Sequence, residues 1–506
     1  MGWRLRKTSE KEEREADPRN RVNGKKIHGG GFSSWNRFAK KLGISFQDLE
    51  WALKQEYDRG FAQSVKEALE ILDEWILQNR DRSRYKAVDR RERTVQTVIG
   101  VAVTFKRRYY LDVETGQYVF LLDELLGLPK EKQISPALTE VAVMLGVSGP
   151  SYRISAEHLE HSHGGKIISH ESIRQAVLRA GEAVAAEEAS KMREGEGERR
   201  VPVLFVEVDG LNVRLQGESR KRVEAKVMVT HEGWRPRHPG SKEYELVNPK
   251  FFVAHDGEDF WEEASAHVMR NYKIDKDVTV VINGDRASWT RKGLEYFPKA
   301  MYQVDRFHLK RELRTLFGKH SECLARLYEE LEMPDPTGAR FLACLAECSS
   351  KLPSKKRRQE AYNLLQDLAS IPGSVVDYRI RLQQEGIDTS SMRGLGSIEA
   401  QMDRISDRIK RRGQKWSLNG LQAIMQLLCR RFEGSLVSLL KRLAGTVSGV
   451  CEALTEGIAR TRSTARKVLE YEYGIQIVHS PMMDAGRTRS GGMSHFLHRL
   501  SHDCNI

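Results

Sequence analysis

Three acidic residues stand at positions from which a fold could bring their carboxylates together. Asp209 ends a hydrophobic run at residues 203–208, and Asp285 follows a second run at residues 278–282. Glu399 lies early in a predicted helix. Converged carboxylates repel one another, so they favour divalent cations between them. Because two such cations form a centre that cuts phosphodiesters, the pattern predicts an enzyme that cuts or joins nucleic acid.

Further polar residues next to these acids are rival or supporting ligands. Glu207 lies two positions before Asp209 on the same predicted strand, so both side chains point to one face. Glu207 is therefore an alternative ligand or a supporting residue. Asp305 and His308 follow the next predicted strand. Asp305 is a rival for the third acid, and His308 could contact the scissile phosphate or orient a ligand.

Each of these residues also has a simpler structural role that the sequence leaves open. Asp209 precedes a glycine, and Asp-Gly is a common turn pair. Asp285 could cap the helix that follows it, because Asp is a favoured N-cap residue. His308 could be a packed histidine at a junction between a strand and a helix. Glu399 follows Asp285 by 399 − 285 = 114 positions, which implies a long insertion between them.

The bulk composition favours a polyanionic partner. The chain has 506 residues, a formal net charge of +13 and a pI of about 9.3. Lys and Arg displace counterions from phosphates, although a basic protein without such a partner has the same composition. The six cysteines form no CxxC pair, and no run of about 18 apolar residues occurs. We therefore expect neither a structural zinc site nor a membrane span. We expect a cytoplasmic protein that is associated with the nucleoid.

The first part of the chain is predicted to be helical with a small sheet. Residues 45–80 have helical spacing, and residues 93–120 have strand character with a basic strand. Residues 134–190 are helical with a glycine break, which is typical of helix-turn-helix geometry but also of many helical bundles. In this segment Arg174 and Gln175 are predicted to face outward and contact DNA.

From residue 201 the pattern changes to mixed α and β structure. Three strands, a helix, a strand, a helix and a strand follow in the order of a ribonuclease-H-like fold. Residues 309–380 are predicted to be mostly helical and basic. Their conspicuous run consists of Lys355, Lys356, Arg357 and Arg358. This run is either a DNA contact or a solvated helix face.

The predicted fold is mixed α+β, with a ribonuclease-H-like core interrupted by a helical insertion. A helical and small β region with a helix-turn-helix-like segment precedes the core. The predicted segments are an arm with amphipathic helices (1–90), a small antiparallel sheet (91–130), a helix-turn-helix-like segment (131–195), the first part of the core (200–315), the helical insertion (316–392), the final core helix (393–430) and a helical and polar tail (431–506).

Several motifs along the chain resemble those of the ISLre-type family of bacterial insertion-sequence transposases. They are Ile71-Leu72-Asp73 with Arg80-Asp81, the runs at 93–100, 107–110 and 122–128, Val208-Asp209-Gly210, the run at 283–289, Asp305-Arg306-Phe307-His308, Gly396-Ser397-Ile398-Glu399 and Trp416-Ser417. That family is similar to Mutator-like DDE transposases, whose ribonuclease-H fold carries a helical insertion before the final glutamate.

The resemblance assigns roles to residues by their position in these motifs. Asp209 and Asp285 match the first two acids, Glu399 matches the third, and Trp289 is a candidate supporting residue. The Asp-x-x-His pair that ends in His308 stands where Mutator-like relatives often have Cys-x-x-His, which leaves the role of its Asp open. Two Mg²⁺ or Mn²⁺ ions, double-stranded DNA and a homo-oligomer assembled on DNA are what the resemblance implies.

The function hypothesis is a DNA transposase that cuts transposon ends and joins the freed 3′-hydroxyl to target DNA. Two alternatives stay open at this point. One is a metal-dependent, structure-specific nuclease that does not transfer strands. The other is a non-enzymatic DNA-binding protein whose acids only cap and pack.

Overall fold

The computed structural model describes residues 45–128, 133–191, 197–255 and 260–443. The predicted arm at 1–35 and the tail beyond 443 lie outside these ranges. The chain divides into two units, residues 1–60 and 61–506. One helix, α1 (Phe46–Asn79), begins in the first unit and ends in the second, where two helices were also allowed by the sequence. Ser45 and Asp48 exchange hydrogen bonds at its N-terminus, which satisfies backbone groups that a helix leaves unpaired.

A three-stranded antiparallel sheet follows, as the alternating pattern predicts. Its strands are β1 (Tyr85–Gln96), β2 (Ala102–Asp112) and β3 (Tyr118–Val119), and a short helix, α2 (Leu121–Leu125), comes next. Arg93 and Arg107 both donate to the buried Asp123, and Arg108 donates to the buried Asp73 of α1. The arginines of the basic strand therefore hold the sheet to its helices rather than pointing to solvent.

The larger sheet has five strands in the order β10-β9-β4-β5-β8. The bounds are β4 (Val203–Arg214), β5 (Arg222–His231), β8 (Lys250–His255), β9 (Thr279–Gly284) and β10 (Ala300–Val304). A small hairpin of β6 (Trp234–Pro236) and β7 (Tyr244–Leu246) joins β5 to β8. The pairs β4–β5 and β5–β8 are antiparallel, whereas β4–β9 and β9–β10 are parallel. The central strand is β4.

Helices cover one face of this sheet over a core that includes Val206, Val208 and Ile282. They are α6 (Phe260–Asn271), α7 (Ser288–Arg291), α8 (Arg306–Phe317), α9 (Ser321–Glu332), α10 (Ala339–Ser350) and α11 (Lys355–Ala369). The helix that the sequence predicts between the last two strands is short, because a 3₁₀ turn at Lys292–Glu295 follows α7.

The other face is covered by the helical segment that precedes the sheet and by the last helices of the described chain. They are α3 (Pro136–Ser148), α4 (Tyr152–His163), α5 (His170–Lys191), α12 (Tyr378–Gln384), α13 (Ser397–Ile409), α14 (Leu418–Phe432) and α15 (Leu436–Leu443). The sequence predicted one final core helix at 393–430, and the structure has α13 and then α14 there.

The segment predicted to resemble a helix-turn-helix is part of the main core. Ser169 caps α5, and Ile173, Val177 and Ala180 form a buried stripe along this helix. That stripe packs in one hydrophobic cluster with Val227 of β5 and with residues of α13 and α14. The segment is therefore packed onto the sheet instead of forming a separate lobe.

None of the helices in the described ranges combines the length and the apolar character that crossing a membrane requires. This agrees with the absence of a long apolar run in the sequence.

Candidate metal centre

Asp209 lies inside β4 rather than at its end. The strand continues to Arg214, and Leu211 and Val213 are buried and keep β4 paired with β5. The predicted strand end at Asp209 is therefore wrong, and so is the alternative of a turn there. The glycine after Asp209 hid the continuation, because Asp-Gly is a common turn pair, although the alternating Leu211, Val213 and Leu215 beyond it are all buried.

Asp209 is nevertheless level with the carboxyl ends of the two neighbouring parallel strands. Parallel pairing places Glu207 beside Asn283, so two residues further along each strand Asp209 is level with Asp285. In the pairing of β9 with β10, Gln303 lies beside Asn283, so two residues further along Asp305 is level with Asp285. Asp209, Asp285 and Asp305 therefore form a row across three strands. Because β4 is longer than its neighbours, an interior residue of one strand meets the first residues after the others.

Asp209 and Glu399 converge, as the sequence predicts, and His308 joins them. Each of the three offers one ligand atom, these atoms lie within 4.8 Å of one another, and all three residues are partly buried. His308 comes from the first turn of α8 and Glu399 from the first turn of α13. Asp285 is not a member of this group. Two carboxylates and an imidazole form a donor set that a divalent cation accepts.

The electrostatics of the group favour positive charge. The pKa of Asp209 is raised to about 6, chiefly by burial and in smaller part by the charges of Asp285 and Glu399, against the lowering effects of the Gly210 N–H and His308. The pKa of His308 is raised to about 9, chiefly by its hydrogen bond to Asp305 and in smaller part by the charges of the surrounding carboxylates, against the lowering effect of burial. In the absence of a cation, a protonated His308 supplies the positive charge that the acids need.

Asp305 orients His308 and caps its helix. One carboxylate oxygen accepts from the backbone N–H of His308 at 2.8 Å and lies 3.0 Å from the His308 Nδ1. The other oxygen accepts from the Asn283 side chain at 3.1 Å. Asp305 is 2% exposed, and both of its oxygens are used in this way. It is thus a positioning residue and not the rival third ligand, and a histidine held at Nδ1 presents Nε2 to a metal.

Glu207 is fully buried and anchors the helix that carries Glu399. Its donors are the backbone N–H groups of Gly396 (2.8 Å), Ser397 (3.3 Å) and Ile398 (3.4 Å), the hydroxyl of Ser397, the His231 Nε2 (3.2 Å) and the Asn283 Nδ2 (3.2 Å). Burial works to raise the pKa of Glu207, but these hydrogen bonds outweigh it and lower the pKa. An ionised carboxylate at a helix N-terminus also complements the helix dipole.

The geometry of Gly396 makes this anchor fit. Its φ is 123°, a conformation that side chains with a Cβ rarely adopt. This conformation at Gly396 lets successive N–H groups of the chain point at Glu207. Glu399 follows in the first turn of α13. The sequence left two roles open for Glu207, that of a metal ligand and that of a supporting residue. Its contacts with the start of α13 fit the second role.

Trp289 packs against aromatic residues in the turn that follows Asp285. Its ring lies 5.0 Å from the ring of Phe260 at 76°, and its carbonyl accepts from the Trp261 indole at 2.6 Å. The Nζ of Lys226 lies 5.1 Å from the centre of the Trp289 ring. These contacts fix the turn after Asp285, so Trp289 acts on the loop rather than on a ligand.

The residues predicted to bind DNA are not members of the metal-ligand group. Arg174 and Gln175 both donate to Glu171 in the first turn of α5. The guanidinium and amide groups that were predicted to contact DNA are therefore hydrogen-bonded to this carboxylate. In the basic run, the side chain of Lys356 is 86% exposed and the Arg358 guanidinium donates to the Leu352 carbonyl.

An open cleft of about 530 Å³ lies directly beside the acidic group. Asp285, His308 and Arg311 are among the residues that line it. The sequence reasoning did not single out Arg311, although it shares a helix with His308 and lies three positions further on, where side chains of one helix are neighbours. The cleft gives a substrate access to Asp285 and His308 from solvent.

Comparison with known proteins places most of the chain in one family model. That model is described as an uncharacterised protein family, UPF0236, and it matches residues 39–441. This range contains Asp209, His308 and Glu399.

Three relatives illustrate the family. A UPF0236 protein of Caldanaerobacter subterraneus subsp. tengcongensis, whose name joins eleven locus designations, is 24% identical over 388 residues, covering 76% of this chain and 78% of the relative. A second protein of that organism, whose name joins four designations, is 25% identical over 293 residues, covering 58% and 60%. A UPF0236 protein of Streptococcus gallolyticus, named for the vanSb 3′ region, is 24% identical over 401 residues, covering 78% and 84%.

Proposed function

The chain belongs to the UPF0236 family, and from that membership we propose that it is a metal-dependent DNA transposase of an insertion sequence. The observation that carries the proposal is the convergence of Asp209, His308 and Glu399 at one edge of the five-stranded sheet, with Asp285 beside them. The enzyme cuts the ends of its element and joins the 3′-hydroxyl to target DNA.

The sheet supports a ribonuclease-H-like assignment for the core. Three antiparallel strands in sequence order, β4, β5 and β8, are followed by β9 and β10, which add in parallel on the other side of β4. This is the arrangement that the resemblance to DDE transposases implies. The helices α9, α10 and α11 lie between the fifth strand and Glu399, where such enzymes carry their helical insertion.

The donor set fits divalent cations of the Mg²⁺ or Mn²⁺ class. Asp209, Glu399 and His308 provide one compact group, and Asp285, next to Asp209 in the row, supplies a carboxylate for a second ion. When bound, such cations polarise the scissile phosphate and lower the pKa of the attacking hydroxyl. The protein's own contribution is to hold the ligands: Asp305 fixes the His308 ring, and Glu207 fixes the start of α13.

The names of the relatives support a mobile element. One relative's name joins eleven locus designations of a single genome, and another joins four. Near-identical copies at many loci are what replication or movement of an element leaves behind. A relative named for the region after vanSb, in a different bacterium, fits the same picture.

DNA is proposed to contact the basic run at the start of α11. Lys355, Lys356, Arg357 and Arg358 occupy the first turn of this helix, and that turn contains no acidic residue. Cations at a helix N-terminus oppose the helix dipole, so the run weakens the isolated helix. A polyanion bound there removes that cost. The outward positions of Arg174 and Gln175 on α5 remain a second proposed contact, for which DNA must compete with Glu171.

Metal binding is expected to be strongly pH-dependent and to release protons. The pKa of Asp209 is about 6 and that of His308 about 9 without metal, so at pH 7.5 Asp209 is ionised and His308 is protonated. A cation that takes His308 as a ligand must displace its proton, and below about pH 6 Asp209 also holds a proton. Affinity for Mn²⁺ therefore falls as the pH drops from 8 to 5.

Calorimetric titration of Mn²⁺ at pH 7.5, in buffers with different ionisation enthalpies, measures the protons released. We expect between about 0.5 and 1 proton per ion bound at the His308 site, and none in a His308→Gln variant. Release of the same number of protons from that variant would exclude His308 as a ligand.

The function itself is tested by strand joining. The purified protein is mixed with labelled DNA that carries the boundary of its element, with supercoiled plasmid and with Mg²⁺ or Mn²⁺. A transposase attaches the labelled 3′ end to plasmid and loses this activity in EDTA. Metal-dependent cutting without joining identifies a nuclease, and binding without cutting identifies a DNA-binding protein. Cross-linking on paired ends tests the proposed homo-oligomer.

A further inference from the structure

An aromatic side chain stands exposed next to the candidate metal centre. Phe307 is 50% exposed, and its ring centre lies 5.6 Å from that of His308 at an interplanar angle of 89°. A half-exposed aromatic ring beside the candidate metal centre offers a face on which a planar ligand group can stack. Its neighbour Leu309, by contrast, is buried in the core under the same helix.

Two arginines continue the exposed face of α8 from Phe307. Arg311 and Arg314 follow at i+4 and i+7, which are neighbouring positions on one side of a helix. The cations on the adjacent side are neutralised, because Arg306 and Lys310 both pair with Glu332. Within residues 45–128, 133–191, 197–255 and 260–443, neither Arg311 nor Arg314 lies within 4.0 Å of a carboxylate oxygen. The face therefore combines one aromatic ring with two unneutralised guanidinium groups.

We propose that this face, Phe307 with Arg311 and Arg314, holds single-stranded DNA at the cut, with one unpaired base stacked on Phe307. The inference rests on the proposed function and adds the form of its substrate. The adjoining cleft, which Arg311 and His308 line beside Asp285, gives the attached backbone a path to the metal ligands.

The chemistry of the face selects this occupant. Every nucleobase has a π-face that stacks on an aromatic ring, whereas in a duplex both faces of a base are already covered. The ring can bind a base only if that base has left the stack. Arg311 and Arg314 supply phosphate contacts that are independent of sequence. A protein partner would not require two unneutralised cations in line with the ring.

The test compares Phe307→Ala with the wild-type protein on DNA that carries the element boundary. Base stacking is worth about 5- to 150-fold per base, so the variant is expected to cut fully paired DNA slower by a factor in this range. Phe307→Trp keeps a stacking surface and is expected to retain the rate. Tyr118→Ala serves as the matched control, because Tyr118 is 48% exposed on β3, in the other sheet.

A series of DNA substrates, each with an abasic site at one position near the cut, identifies the stacked base. Removing that base leaves the wild-type protein and Phe307→Ala with equal rates, while the difference persists at other positions. Equal rates on all substrates, or a loss of the same factor on every abasic substrate, would overturn the inference and leave the proposed function intact. Failure of the wild-type protein to cut any of them contradicts the proposed function instead.

Discussion

Asp209→Asn abolishes strand cleavage and joining while making the metal-free protein more stable. The carboxylate is a ligand of the proposed cation site, and bound cations contribute several kcal/mol of transition-state stabilisation, so the rate falls by about 10³-fold or more. The variant retains DNA binding, because the proposed DNA contacts lie on α5, α8 and α11. The measurement is the rate of cutting and joining at saturating Mg²⁺ or Mn²⁺.

The free energy of unfolding increases in this variant because the folded protein disfavours the charged form of Asp209. Its pKa in the folded protein, about 6, lies above its ordinary value, so the folded state binds a proton more tightly than the unfolded state. The free energy of unfolding therefore falls as the pH rises from about 4 to 6 and stays reduced above that range. Asn carries no charge, and we expect it to gain roughly 1–3 kcal/mol at pH 7.5 in EDTA and nothing below pH 4.

Denaturant unfolding in EDTA at the two pH values checks this gain. Asp277→Asn, at an exposed position before β9, is the matched control and is expected to change neither stability nor activity. Full strand joining by Asp209→Asn would refute the assigned centre. Unchanged or lower stability at pH 7.5 would show that burial and the neighbouring acids do not raise the pKa of this carboxylate.

Glu207→Gln disrupts the centre from a distance. The carboxylate accepts from three successive backbone N–H groups at the start of α13, and an amide presents its NH₂ donors to groups that are themselves donors. Removing one partner of a buried charged network costs about 3–5 kcal/mol. Because Glu399 sits in the first turn of the same helix, affinity for Mn²⁺ is expected to fall by about 10- to 100-fold, as is typical when a residue that orients a ligand is lost.

The pH dependence separates this role from general packing. The pKa of Glu207 is lowered in the folded protein, so its stabilisation is present above the ordinary range for Glu and is lost as the pH falls through the lowered pKa. In Glu207→Gln, we expect the fall in the free energy of unfolding that Glu207 causes at low pH to disappear. The exposed Glu218→Gln is the matched control.

If Glu207→Gln does not fold, Ser397→Ala removes only the hydroxyl donor. It is expected to cost about 1 kcal/mol and to weaken Mn²⁺ binding measurably. Unchanged metal affinity in a folded Glu207→Gln variant, or in Ser397→Ala, contradicts the anchoring role.

The sequence by itself identified the two aspartates and the segments that carry them. Short runs of β-branched residues bounded by turn residues, such as those before Asp209 and Asp285, favour strands, and helical spacing marked the start of α13. These signals are local, since each depends on residues within a few positions. The mixed α+β composition of the fold followed from the same local signals.

The roles of Glu207 and Asp305 were decided by tertiary structure. Glu207 binds N–H groups 189 to 191 positions away in the chain, and no local pattern encodes such a pairing. Strand register decided that Asp209 is an interior residue that still reaches the sheet edge. The sequence determined which side chains could carry charge, whereas the long-range packing of strands against helices decided which of them meet, because a carboxylate's role depends on neighbours that the fold alone brings close.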